Sequence, residues 1–184
     1  SLGAAQILRH ENLGKERIEW NHNFTTYLGV RWKKQYVDNA IEKFSSDITV
    51  RTSSIDELVQ KLYEGNIVSV YSGKSESGRR ALGNRSILAD PRDPDMKDLL
   101  NKKVKHRSWF RPFAPSILFE DVSEWFKRNQ ESPYMQFVLN FRDDKKNLVP
   151  AVVHKDGTAR LQTVRKEDNE WYHNFLSKWK KKTG

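Results

Sequence analysis

The sequence predicts a mixed α/β domain, on three observations. Segments of helical period alternate with short apolar runs of strand length, several of them separated by turns rather than long crossovers. The 184 residues include six Trp, six Tyr and nine Phe, enough large side chains to pack one real core. No internal repeat or low-complexity tract breaks the pattern.

The elements follow in chain order. SLGAAQILRH reads as the interior of a helix with small residues and neither a start methionine nor a cap before it. The chain is therefore expected to be a piece of a larger protein. Residues 11–33 carry no clean period and read as a polar connection. QYVDNAIEKF (35–44) has a helical stripe of Tyr36, Val37, Ala40, Ile41 and Phe44. DITVR (47–51) reads as a strand. The next helix is better signed: Ser54 and Glu57 have capping-box spacing, Ile55, Leu58, Val59 and Leu62 form the buried stripe, and Gly65 closes it.

NIVSVYS (66–72) and RSILAD (85–90) read as strands around a glycine-rich segment, and DPDMKDLLNKKV (93–104) as a helix with Pro94 near its first turn. PSILF, PYMQFVLNF and LVPAVVH read as further strands, with a short helix at DVSEWF after the first. TARLQTV alternates as a half-buried strand does, and NEWYHNFLSKWKK is a closing helix.

Composition narrows the function classes. There is no cysteine, which removes disulfides, zinc thiolates and thiol nucleophiles and suits a reducing cytoplasm. No run approaches the ~18 apolar residues of a membrane span, and the start has no signal-peptide pattern, so a soluble, cytoplasmic protein is expected. The formal charge is +9, from 33 basic and 24 acidic residues, which suggests an anionic partner. The run Lys178–Lys182 around Trp179 is an ordinary solvated helix end. Leu99–Phe119 is more informative, because it has no acidic residue but contains Lys102, Lys103, Lys105, His106, Arg107 and Arg111.

Three blocks concentrate the chemistry. The first, GKSESGRRALGNRSILADPR (73–92), has five basic residues and three glycines. It is not a Walker loop, since Val68 stands where that loop needs its first glycine. Its glycines either simply end a strand and a turn, or belong to a different anion loop. In the second case backbone N–H groups near Gly78 and Gly83 meet the anion, with Arg80 and Arg85 as forks. The second block, KHRSWFRPFAPS (105–116), interleaves Arg107 and Arg111 with Trp109 and Phe110. That suits a clamp on phosphate with a base stacked beside it, single-stranded nucleic acid, or plain cation–π packing at a core edge.

The third block is HKDGTARLQ (154–162), where Asp156–Gly157 signals a hairpin. A two-residue turn there sets His154 opposite Ala159 and sends Arg160 to the other face. A three-residue connection sets His154 opposite Arg160. No histidine pair has metal spacing.

In this order the blocks resemble the C-terminal region of the nodulation-protein and aminoglycoside O-carbamoyltransferase family. The first is similar to that family's G-R-S-E-F-G-P-R-A-L-G-N-R-S-I-L, the second to K-x-R-E-x-F-R-P-F-A-P-S, and VPAVVHKDGTARLQTV to P-A-V-x-H-V-D-G-T-A-R-x-Q-T-V. SLGAAQ resembles the end of the family's preceding actin-like domain. The resemblance implies that residues 1–20 are the tail of that domain. It makes residues 21–184 a YrdC/Sua5-like domain, a twisted open mixed sheet with flanking helices, truncated at Gly184 where the family continues with Pro and N-T-S-F-N.

The reaction implied is activation of carbamoyl phosphate with ATP, and with Mg2+, to carbamoyl-adenylate. The actin-like domain would then pass the carbamoyl group to a sugar or natural-product hydroxyl. The residues implied to bind these substrates are Arg80, Asn84, Arg85 and Ser86; then Lys105, Arg107 and Arg111; then His154, Asp156, Thr158, Arg160 and Gln162. Ser77 and Arg79 depart from the family's aromatic and proline, which implies a looser loop. Two other functions compete with this one: a basic RNA-binding module, and a structural remnant without activity.

Overall fold

The computed structural model describes residues 2–16 and 25–184. The expected boundary between residues 20 and 21 lies outside the described residues. Helix α1 (Leu2–Ile7) runs into a π-helical turn at Leu8–Asn12, and α2 (Lys34–Lys43) follows. Most of the α2 stripe faces outward: Tyr36, Val37 and Phe44 are exposed. The mixed α/β class expected of the sequence is what the rest of the chain shows. It comprises α3 (Ile55–Tyr63), β1 (Val68–Tyr71), β2 (Arg85–Leu88), α4 (Met96–Leu99), β3 (Ser116–Leu118), α5 (Val122–Trp125), β4 (Val138–Asn140), β5 (Thr158–Arg160), β6 (Gln162–Val164) and α6 (Glu170–Thr183).

Helix α3 starts and stops as its sequence dictates. The Ser54 hydroxyl accepts the Glu57 N–H at 3.2 Å, while Glu57 turns its own carboxylate to Ser53 and Arg51 instead of completing the box. Gly65, at φ +83°, ends the helix, and Asn66 N–H reaches back to Lys61 C=O at 3.1 Å. Val59 and Leu62 then pack with Val164 of β6 and with Tyr172 and Phe175 of α6. Each large apolar side chain so buried contributes about 1.5–3 kcal/mol.

The strands are short and form three two-stranded ladders. β1 and β2 are antiparallel, β4 and β5 are antiparallel, and β3 runs parallel to β6. A second core gathers Val122 and Phe126 with Leu139, Phe141, Val152, Ala159 and Leu161, with Phe126 and Phe141 stacked at 4.4 Å. A third, smaller core joins Met96, Leu100 and Ala151. Leu161, fully buried, is the one residue between β5 and β6, and there the chain passes from its ladder with β4 to its ladder with β3.

Two expected strands are absent. Residues 47–51 form no ladder, and Ile48 and Val50, whose alternation suggested one, are exposed. LVPAVVH instead begins at the end of one 3-10 turn, Lys146–Leu148, and makes another at Pro150–Val152. Pro150 has no N–H to give a ladder and suits the first position of a helical turn. Ala151 and Val152 go into the core, and Ala151 N–H binds Pro91 C=O at 3.1 Å. The helix expected over 93–104 is divided into α4 and a π-helical turn at Leu100–Val104.

Candidate functional site

The glycine-rich block folds around its own acid. One oxygen of Glu76, Oε1, accepts the backbone N–H groups of Leu82, Asn84 and Arg85 at 2.8, 3.0 and 3.3 Å. The amide nest expected to meet a substrate anion is therefore filled by a carboxylate of the chain. Gly83 donates instead to the Ser86 hydroxyl at 2.9 Å. Its φ is +113°, and a Cβ there would stand 2.5 Å from Cδ1 of the buried Tyr172, so glycine is required by conformation and by packing. Gly78 has open space around it and no such demand.

Three residues expected to bind substrate from this block are used internally. Arg85 Nη1 donates to Ser72 C=O (2.5 Å) and Asn84 C=O (2.8 Å), Nη2 donates to Gly73 C=O (3.3 Å), and the guanidinium lies 3.6 Å over Tyr71. Buried Asn84 donates to Lys74 C=O at 2.7 Å and accepts from Asn169 at 2.9 Å. Ser86 is buried on the Gly83 amide. The segment before α2 braces the loop from outside: Ser77 N–H reaches Thr26 C=O at 2.7 Å, and the Tyr27 hydroxyl donates to Leu82 C=O at 2.8 Å.

The second block hangs on Asn101, a residue with no signal in the sequence. Its side chain is 1% exposed and donates to Trp109 C=O and Arg111 C=O at 3.1 and 3.0 Å, while its Oδ1 accepts Arg107 Nε at 2.7 Å. His106, at φ +46°, turns the chain back so that Arg107 N–H meets Asn101 C=O. Arg107 also lies 4.6 Å over Phe113. With Nε and one face anchored, its guanidinium is aimed rather than mobile. Burial and then the charge of Arg111 push its pKa down. Lys105 and Arg111 are exposed, and so are Trp109 and Phe110, whose rings meet edge to face at 6.0 Å.

In the third block neither expected register occurs. His154 pairs with Thr158: His154 N–H donates to Thr158 C=O at 2.7 Å, and Gly157 N–H to His154 C=O at 2.9 Å. β5 then pairs with β4, with Arg160 opposite Val138. Gln162 is buried and joins all three blocks. Its Nε2 donates to Leu82 C=O at 2.9 Å, its Oε1 accepts the Ser116 hydroxyl at 3.1 Å, and its N–H binds Pro115 C=O at 2.9 Å. It acts as a fastener within the fold.

With that fastener in place, Arg160 of the third block feels the charges of Arg80 and Arg107 from the other two. The Arg160 guanidinium is pushed down in pKa by burial first, then by the charges of Arg80 and Arg107. Its Nε is the one buried side-chain nitrogen or oxygen among the described residues that has no hydrogen-bond partner. Arg160 thus carries a buried donor that no group among the described residues fills, in the field of two other arginines. No cluster of three or more His, Cys, Asp or Glu that could hold a metal is present among the described residues.

The carbamoyltransferase C-terminus family matches residues 59–184, which include all three blocks. The chain belongs to that family. It is 50% identical over 124 residues to the nodulation protein NolNO of Sinorhizobium fredii, covering 66% of this chain and 18% of that protein. To nodulation protein U of Rhizobium tropici it is 43% identical over 131 residues, covering 71% and 23%. An uncharacterised protein of Methanocaldococcus jannaschii is 37% identical along all of this chain, over 31% of its own length. The chain thus spans less than a third of each of these three relatives. No helix among the described residues is long and apolar enough to cross a membrane.

Proposed function

We propose that this carbamoyltransferase-family domain holds carbamoyl phosphate and the Mg2+ complex of ATP together and makes carbamoyl-adenylate. Transfer to a sugar or natural-product hydroxyl would fall to another domain of the protein, since an acceptor needs its own base or metal. The observation that carries the reading is the Arg80–Arg107–Arg160 cluster with its unpartnered Arg160 Nε.

Two anionic substrates repel each other, and cations fixed between them offset that repulsion as charge builds on the transferring phosphate. In the proposed chemistry, water converts carbamoyl phosphate to carbamate and inorganic phosphate. A carbamate oxygen then attacks the α-phosphorus of ATP, and the bond to the β-phosphate breaks to release pyrophosphate. The Mg2+ would arrive with ATP, held by phosphate oxygens and water. Exposed Trp109 and Phe110, between Arg107 and Arg111, offer a surface on which adenine can stack.

Isothermal titration tests the reading. Carbamoyl phosphate and MgATP are each expected to bind, to lose affinity together in Arg160→Ala, and to keep most of it as salt rises. Preferential binding of duplex RNA with a steep salt dependence would transfer the cluster to a polyanion instead.

A further inference from the structure

We infer that His154 is the general base of this domain, its Nε2 taking the proton from the water that opens carbamoyl phosphate while Thr158 and Asp156 hold the ring in that tautomer. The inference rests on the reading of the domain as one that acts on carbamoyl phosphate.

The tautomer follows from counting protons. Asp156 Oδ1 accepts both the Thr158 hydroxyl at 2.7 Å and the Thr158 N–H at 3.1 Å. Those two hydrogen bonds, the side-chain one first, hold the Asp156 carboxyl below its usual range, so it is ionised and can only accept. The Thr158 hydroxyl has one proton, and it is committed to Asp156. Toward His154, 2.9 Å away at Nδ1, the same oxygen can only accept. The neutral imidazole therefore has its proton on Nδ1 and its lone pair on Nε2. The His154 backbone is fixed as well, through its N–H on Thr158 C=O and its C=O on Gly157 N–H.

The position of the ring is set by the strand. Ala159 is fully buried and faces the core with Leu139, so Thr158 and Arg160 share the opposite face of β5. Across the ladder, Asn140 stands opposite Thr158 and Val138 opposite Arg160, and both are exposed. The His154–Thr158–Asp156 chain therefore stands two residues, roughly 7 Å, along the strand from Arg160. A phosphate held by Arg160 with a water beside it spans that distance. The tight turn is already closed by Asp156 and Thr158, and it makes no use of the imidazole's second nitrogen.

In the step proposed, the water oxygen attacks phosphorus as its proton passes to Nε2. The bond from phosphorus to the carbamate oxygen breaks, and that oxygen leaves with the electron pair. Nothing is oxidised or reduced. Asp156 is the charged group at the end of this chain of hydrogen bonds, and Arg160 lies along the strand from it.

Two measurements decide. Long-range nitrogen–proton correlation spectra of the labelled protein should show the neutral His154 ring protonated at Nδ1, and Thr158→Val should abolish that preference. Release of inorganic phosphate from carbamoyl phosphate with MgATP should fall about 100-fold in kcat in His154→Gln, with KM changed less than threefold. Added imidazole should restore part of the rate in His154→Gly. A kcat within threefold of wild type in His154→Gln, or a ring protonated at Nε2, overturns the inference. Wild-type protein that neither binds nor turns over carbamoyl phosphate would instead remove the functional reading, and the base role with it.

Discussion

Arg85 and Arg160 invite comparison, since the resemblance implied substrate binding for both and both sit at strand ends. Arg85 spends its guanidinium on Ser72, Asn84 and Gly73 carbonyls and on the face of Tyr71. Arg160 has a buried Nε with no partner and two other arginines close enough to depress its pKa. The same residue type is thus a brace in one region and an unmet charge in the other. An arginine in a motif points to a ligand only when the fold leaves it unsatisfied. In the glycine-rich loop Glu76 fills the amide nest, while Arg160 Nε, in the field of Arg80 from that same loop, has no partner among the described residues.

The sharpest way to break this contrast is to disturb the braced side. Gly83→Ala places a methyl against the Tyr172 ring in a left-handed conformation, and overpacking with backbone strain should cost about 3–4 kcal/mol of stability. Thermal unfolding measures it, and a melting temperature within a degree of wild type would mean the loop is not packed as described.

Arg160→Ala comes next and should behave oppositely. Affinity for carbamoyl phosphate should fall by roughly 1.5–3 kcal/mol, the loss of a charged hydrogen bond, while the melting temperature holds or rises as repulsion from Arg80 and Arg107 is relieved. Destabilisation with unchanged binding would make Arg160 a second brace.

Arg85→Ala should cost about 1–2 kcal/mol of stability by releasing three carbonyls and a stacked ring. Carbamoyl phosphate affinity should stay within about threefold. The smallest effect is expected of Glu76→Gln, which keeps an acceptor in the nest but removes its charge, at about 1 kcal/mol in denaturant unfolding. Tighter substrate binding in that variant would show that the nest competes with the cluster for anion.

By itself the sequence determined what depends on near neighbours. The mixed class, the Ser54 cap and Gly65 stop of α3, α6, and the turn at Asp156–Gly157 follow from side-chain period, capping chemistry and glycine's freedom over a few residues. The grouping of charge into three blocks was legible too, because unmixed arginines repel one another unless an anion sits between them.

Only the tertiary structure decided which arginine was spent and which was free. The carbonyls that satisfy Arg85 lie up to thirteen residues away, and Gln162, which pins the blocks together, reaches eighty residues back to Leu82. Glu76 hinted at its role as the only acid before Asp90 in a basic block, but Asn101 gave no such hint. The apolar runs at 47–51 and 148–154 failed as strands for the same reason: a strand needs a partner edge, and that is not a local property. Whether a polar group is satisfied depends on atoms that meet only when the chain is folded, so the cluster's open donor could be seen only in three dimensions.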